Sequence, residues 1–263
     1  MLTRVSPQLD IYHDEPIPRA TKAVIYTQHE YGAASHVAMS SILQDSEPIG
    51  HIFTPLMAEQ VFNVLPDFDE VGWEMYHQDD TLFISITAWP NTPMFPPEQA
   101  SASWIYVYPT VRDVLSYLQT QGVSEVIYAT ASSIHDLMVD SFDQLQSTRI
   151  YEWRWNEMKG TRKQLFLSPP AYLFGFFADK LGMTSTLATT GYDNSEKVDI
   201  KGARSIAKYI ANFTGGTVSQ TAMTKTCKKV TMLHERAENL MGEVSEVLSS
   251  AGNDKQPNQM LWG

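Results

Sequence analysis

Apolar residues along this chain fall in two rhythms. The short continuous run Ala23-Val24-Ile25-Tyr26 has the length and density of a strand buried in a sheet, and Leu82-Phe83-Ile84-Ser85-Ile86 and residues 123–129 read as further strands. Between them lie stretches with apolar residues at helical steps, as in Val107, Val111, Val114, Leu115 and Leu118. The first run, the turn at Gly32, a helix over 33–43 and a strand over 49–53 read as a β-α-β unit, which predicts parallel pairing of the two strands. Residues 73–76 and 82–86 flank the polar turn His77-Gln78-Asp79-Asp80 and predict a β-hairpin. Pro90, Pro93, Pro96 and Pro97 remove backbone donors and mark a loop. A helix over 104–121 contains Pro109 and stops at Gly122, a C-terminal capping residue.

The alternation continues with a helix over 134–145, strands over 150–155 and 165–167, and a helix from Pro169-Pro170 to Leu181 that ends at Gly182. A strand over 184–189 follows. Asp199 is placed to cap a helix over 203–213. The last helix, 221–248, carries Val230, Leu233, Ala237, Leu240, Met241, Val244, Val247 and Leu248 at steps of three and four, one amphipathic face. Residues 1–20, polar and interrupted by Pro7, Pro16 and Pro18, read as irregular. The fold class is therefore α/β: a three-layer α/β/α sandwich with a mostly parallel sheet plus a β-hairpin, and a long C-terminal amphipathic helix. The organisation is an irregular segment 1–20, a domain 21–220, the helix 221–248, packing on the domain or at an oligomer interface, and a flexible tail 249–263.

Composition narrows the function. The 263 residues are 43% hydrophobic and 19% charged, enough for a sizeable core. A net charge of −11 argues against a sequence-independent nucleic-acid binder and against adsorption to anionic lipid. Cys227 is the one cysteine, so neither an internal disulfide nor a multi-cysteine zinc site is available. No N-terminal apolar leader and no apolar stretch long enough to span a bilayer is present, and the expectation is a cytoplasmic protein.

Chemical motifs are sparse. Ser132-Ser133-Ile134-His135-Asp136 follows a strand, where α/β folds bind ligands, but it lacks the glycine-flanked nucleophile elbow. A helix start with a serine cap explains it as well. None of the seven histidines has metalloprotease spacing, and His13-Asp14-Glu15 is an exposed polar stretch before it is a metal site. Gly32 stands alone, so the dinucleotide fingerprint is missing, and there is no phosphate-binding loop. Trp153-Arg154-Trp155 suits a stacking surface or half-buried strand packing. Lys225, Lys228 and Lys229 suit a solvated helix face. No catalytic residue, cofactor or metal is assigned.

The most unusual feature is the closing tripeptide Leu261-Trp262-Gly263, set beyond the polar stretch 249–259. A tail with nothing to pack against normally sheds large apolar side chains. A tryptophan there suggests a docking peptide whose ring and terminal carboxylate enter another protein's pocket.

Several segments together resemble the proteasome assembly chaperone family. They are Ala23-Val24-Ile25-Tyr26 through Gly32 to Leu43, then Leu82-Phe83-Ile84-Ser85 with Trp89-Pro90, then 118–127 with its Gly122-Val123. The final block is Tyr172-Leu173-Phe174-Gly175, Leu181-Gly182-Met183, Thr189-Thr190-Gly191-Tyr192 and Asp199 to Ala207. The resemblance spans about residues 20–215. It implies a non-enzymatic, proteasome-binding assembly chaperone or core-particle regulator, and a homo-oligomer. Members commonly end in a hydrophobic–tyrosine–any motif that enters pockets between α-subunits of the 20S core particle, where the carboxylate pairs with a lysine. Leu261-Trp262-Gly263 is similar to that motif, with tryptophan in place of tyrosine. Two other classes stand beside this reading. One is an enzyme of the nucleoside phosphorylase or hydrolase-like fold acting on a small molecule; the other is a metabolite-binding regulatory module.

Overall fold

The computed structural model describes residues 2–6, 9–13, 15–28, 31–53, 73–87, 104–133, 150–155, 169–192 and 198–253. Among the described residues nine strands, β1 (Leu2–Ser6), β2 (Leu9–His13), β3 (Lys22–Thr27), β4 (Gly50–Phe53), β5 (Trp73–Gln78), β6 (Thr81–Ile86), β7 (Glu125–Ser133), β8 (Tyr151–Arg154) and β9 (Thr184–Tyr192), form one sheet in the order β1-β2-β4-β5-β6-β3-β7-β9-β8. The centre β6-β3-β7-β9 is parallel. The flank β5-β4-β2-β1 and the opposite edge strand β8 are antiparallel.

Helices cover both faces of the parallel centre. They are α1 (Ala34–Leu43), α2 (Trp104–Thr120), α3 (Pro169–Lys180), α4 (Ile200–Thr214) and α5 (Gln220–Asn253). On one face Ala23, Ile25, Leu82 and Ile84 pack with Val111, Val114, Leu115 and Leu118 of α2 and Phe174, Phe177 and Ala178 of α3. On the other, Val24, Tyr26, Phe83 and Ile127 pack with Val37, Ala38 and Ile42 of α1, with Ala203, Ile206, Ala207 and Ile210 of α4, and with Met223 and Val230 of α5. Burial on both sides is why β3 and β6 read as continuous apolar runs. The three-layer α/β/α class is the one the sequence implied.

The hairpin forms as expected, with Gln78 opposite Thr81 and Asp79 in the left-handed region at φ 51°. Asp80 accepts from the backbone N–H of Thr21 at 2.8 Å and from the Thr21 hydroxyl, which holds its carboxyl below the usual range. Gly122 (φ 100°) and Gly182 (φ 75°) close α2 and α3 with the backbone conformation that suits glycine. Helix α2 runs through Pro109. The proline sits in the second turn, and the buried residues after it hold the helix in place.

Three expectations are corrected. The β-α-β reading of the first unit fails in its pairing: β4 joins β2 and β5, while β3 lies between β6 and β7. The alternating burial of β4 suits an antiparallel flank with one open face, whereas β3 needs a fully buried neighbour on each side. Residues 2–6 and 9–13 are not irregular but form an edge hairpin. Leu9, Ile11 and His13 are buried, and Asp10 and Tyr12 face outward. The antiparallel part of the sheet therefore extends well beyond one hairpin. The last helix runs five residues past Leu248, to Asn253, into the polar stretch assigned to the tail. Consecutive helical hydrogen bonds carry a strong helix into weak sequence at its end. The expected elements at 134–145 and 165–167 and the Pro90–Pro97 loop lie outside the described residues.

Candidate functional site

Two regions could carry function: the carboxyl ends of the parallel strands, where open α/β sheets bind ligands, and the C-terminal arm.

At the strand ends, the turn after β3 has Gly32 and Ala33 both in the left-handed region, at φ 65° and 48°. The turn is pressed onto the β9–α4 connection. A Cβ on Gly32 would stand 2.8 Å from Asp199 Cβ and 2.9 Å from the Tyr192 ring. The Asp199 N–H donates to the Gly32 carbonyl at 2.9 Å. Its carboxylate accepts from the Gly202 N–H at 2.8 Å and caps α4. Nearby, the Ser35 hydroxyl donates to the Thr27 carbonyl at 2.9 Å, and Thr27 Oγ1 lies 3.1 Å from the Tyr128 hydroxyl.

A row of residues crosses the sheet on the α1 face: Tyr12, His51, Glu74, Ser85 and Tyr26 stand opposite one another on β2, β4, β5, β6 and β3. The row runs from open surface, Tyr12 being 49% exposed, to full burial at Ser85. At its middle Glu74 Oε2 accepts from the Tyr76 hydroxyl at 2.8 Å and from Gln28 Nε2 at 3.0 Å, and Gln28 Nε2 also donates to Ser85 Oγ at 2.8 Å. Burial, with the Glu74 charge adding to it, pushes the phenols of Tyr26 and Tyr76 well above the ordinary tyrosine value. These groups spend their hydrogen-bonding capacity on one another, as a network that fixes three strands does. Sequence inspection missed it because Gln28, Glu74 and Ser85 come together only through strand pairing.

The structure separates the remaining candidates. Ser132 and Ser133 end β7 opposite Gly191 and Tyr192, while His135 and Asp136 lie outside the described residues. His13 Nδ1 is 2.8 Å from the Glu15 carbonyl oxygen. Among the described residues no group of three His, Cys, Asp or Glu side chains is placed to hold a metal. Trp153 packs on the core and stacks with Tyr151 at 6.2 Å. Trp155 meets Tyr172 edge-on at 5.1 Å. Arg154 Nε pairs with Glu152 at 3.0 Å in the open. The pair of tryptophans is packing of the β8 edge. Lys225 lies 3.4 Å from Asp45, and Lys228 and Lys229 are exposed, as on a solvated helix face. Cys227 is partly buried against the second core cluster.

The arm begins where Ser219 caps α5: its hydroxyl accepts from the Ala222 N–H at 3.2 Å, and its own N–H donates to the Ser41 carbonyl at 2.8 Å. Met223 is fully buried and Val230 is 8% exposed. Beyond them Met232 is 61% and Leu233 51% exposed. Of the expected apolar face, Val230 is buried and Leu233 lies in the open; the side chains at 237, 240, 241, 244, 247 and 248 lie outside the described ones. At 34 residues the helix is about 50 Å long. Leu261, Trp262 and Gly263 lie outside the described residues. Among the described residues no helix is long and apolar enough to cross a membrane.

No family model matches the chain, and no curated protein matches it in sequence. Its fold is that of proteasome-assembly chaperone homologues among the solved structures. PbaB of Pyrococcus furiosus, an archaeal proteasome activator, superposes with a TM-score of 0.60 at 13% identity, covering 89% of this chain and 100% of its own. PbaA of the same organism, an archaeal homolog of proteasome-assembly chaperone, gives 0.54 at 13% identity over 93% of this chain and 97% of its own. A Thermoplasma acidophilum protein of unknown function gives 0.58 at 10% identity over 88% and 91%. At these identities the likeness is one of fold.

Proposed function

We propose that this chain is a non-enzymatic, proteasome-binding assembly chaperone or core-particle regulator, and that Leu261-Trp262-Gly263 docks into pockets of the proteasome α-ring. The observation that carries the reading is the fold shared with an archaeal proteasome activator over 89% of the chain. It is joined by an aromatic closing tripeptide that follows a long helix in the sequence. Tryptophan keeps the planar ring and one hydrogen-bond donor of the tyrosine found in the family motif, but it cannot accept a hydrogen bond. Several tails on one oligomer add avidity through effective concentration. Affinity capture of proteasome α-subunits from native lysate tests the reading. The full chain retains them, and a chain lacking Leu261–Gly263 does not. Undiminished capture by the shortened chain rejects tail docking.

A further inference from the structure

Charge is unevenly shared along the chain. Residues 200–234 hold six of its 19 basic residues, Lys201, Arg204, Lys208, Lys225, Lys228 and Lys229, and none of its 30 acidic ones. The rest of the chain carries 13 basic residues against 30 acidic. The fold gathers the six on one side of the molecule. Lys201, Arg204 and Lys208 lie at steps of three and four along α4, opposite Ala203, Ile206, Ala207 and Ile210 in the core. Lys225, Lys228 and Lys229 lie on α5 opposite Met223 and Val230. Both helices pack on α1 and on the same face of the sheet, so both basic stripes point away from it on the same side. α1 itself, ASHVAMSSIL, adds no Asp, Glu, Lys or Arg. All six cations are exposed, and among the described residues only Lys225 pairs with a carboxylate, that of Asp45 at 3.4 Å in the open. Glu47 is exposed in the same turn.

We propose that the outer surface of the α1, α4 and α5 layer is a docking face for an acidic polypeptide segment of a partner protein. Five of the six cations have no carboxylate partner among the described residues, so their field is open to whatever approaches. In a chain of net charge −11 that field is local. It acts within a Debye length of about 8 Å at physiological salt, and the acidic surface elsewhere repels an extended polyanion. A nucleic-acid duplex brings about one negative charge per 1.7 Å along its whole length, and single strands are held by aromatic platforms. Among the described residues no exposed aromatic ring lies on α4 or α5. A short run of Asp or Glu matches the face in both extent and charge. An open groove of 540 Å³, lined by Gln220, Thr221, Thr224, Lys225 and Lys228, sets hydroxyl and amide donors beside two of the ammonium groups, where carboxylates gain charge-assisted hydrogen bonds. The groove lies along the first turns of α5, and the helix dipole there adds to the attraction. The inference goes beyond tail docking and does not depend on it.

Fluorescence anisotropy of a labelled glutamate peptide of about ten residues, titrated with the full chain, tests it. The wild type binds the peptide, and binding weakens about tenfold or more between roughly 50 and 300 mM salt. Lys228→Glu with Lys229→Glu, and separately Lys201→Glu with Arg204→Glu, each weaken binding about tenfold, because the segment meets both helices. Lys180→Glu, exposed on α3 in the opposite layer, leaves it unchanged. Every substituted position is exposed, so thermal unfolding does not move. Removing Leu261–Gly263 leaves the peptide affinity unchanged, which separates this result from failure of the docking reading. No binding by the wild type, equal affinity in either double variant, or equal weakening by Lys180→Glu overturns the proposal. So does tighter binding of single-stranded DNA of about 20 nucleotides than of the peptide.

Discussion

Two helical glycines should answer the same substitution with opposite sign. In a helix interior Gly→Ala stabilises by about 0.5–1 kcal/mol, because alanine loses less backbone entropy on folding. At Gly242 a Cβ meets nothing within 4 Å, so Gly242→Ala should strengthen α5 by that amount. At Gly202 the same atom would lie 2.9 Å from Thr190 Oγ1 and 2.9 Å from Asp199 Cγ, with Asp199 Oδ2 closer still. Thr190 is fully buried and Asp199 is 5% exposed, so neither has free space to retreat into. If the carboxylate gives way it loses the 2.8 Å bond from the Gly202 N–H, a cap worth about 1–2 kcal/mol. If α4 gives way, Ala203, Ile206, Ala207 and Ile210 shift in the core, an overpacking cost of about 1–3 kcal/mol. Set against the propensity gain, Gly202→Ala should destabilise by about 1–3 kcal/mol, or about 2–4 °C in Tm per kcal/mol. Urea unfolding followed by far-ultraviolet circular dichroism reads the difference. In an Asp199→Ala background the cost of Gly202→Ala should shrink, because the clashing carboxylate is gone. A Gly202→Ala protein as stable as wild type, or a cost unchanged by Asp199→Ala, would refute the reasoning.

Met223→Ala removes a fully buried side chain that holds α5 to the body and should cost about 2–4 kcal/mol. Faster amide exchange should then appear first in the proximal turns of α5, while β3 stays protected. Burial pushes the Tyr117 phenol up to about 12, and Tyr26, Tyr76 and Tyr209 are raised further. Folded values above the unfolded one favour the neutral phenol. This stabilisation is complete below about pH 10 and is lost as pH rises through the folded values. Ultraviolet titration should show these tyrosines ionising late, and urea midpoints should fall from pH 9 to pH 11.

Local signals carried much of the fold. The buried runs of β3 and β6, the hairpin turn at Asp79-Asp80, the glycine caps of α2 and α3 and the Asp199 cap all depend on neighbours in sequence, and the structure has them. What was not legible depends on distant pairing. Residues 49–53 form a strand wherever they go; only the competition for the two sides of β3 sends β4 to the far flank. Residues 9–13 alternate well enough for a strand, but Pro7, Pro16 and Pro18 around them are loop signals. The Glu74 network joins residues 46 and 57 positions apart along the chain, beyond the reach of any short motif. The closing tripeptide is the reverse case: it lies outside the described residues, and its proposed docking role rests on sequence chemistry alone.

The central claim is tested most directly by the affinity of the full chain for assembled proteasome α-rings, measured beside Trp262→Ala. An aromatic anchor buried in a pocket contributes about 2–4 kcal/mol on truncation, so the substitution should weaken binding by roughly 30- to 1,000-fold. Equal affinity of the two proteins for the ring would contradict the account.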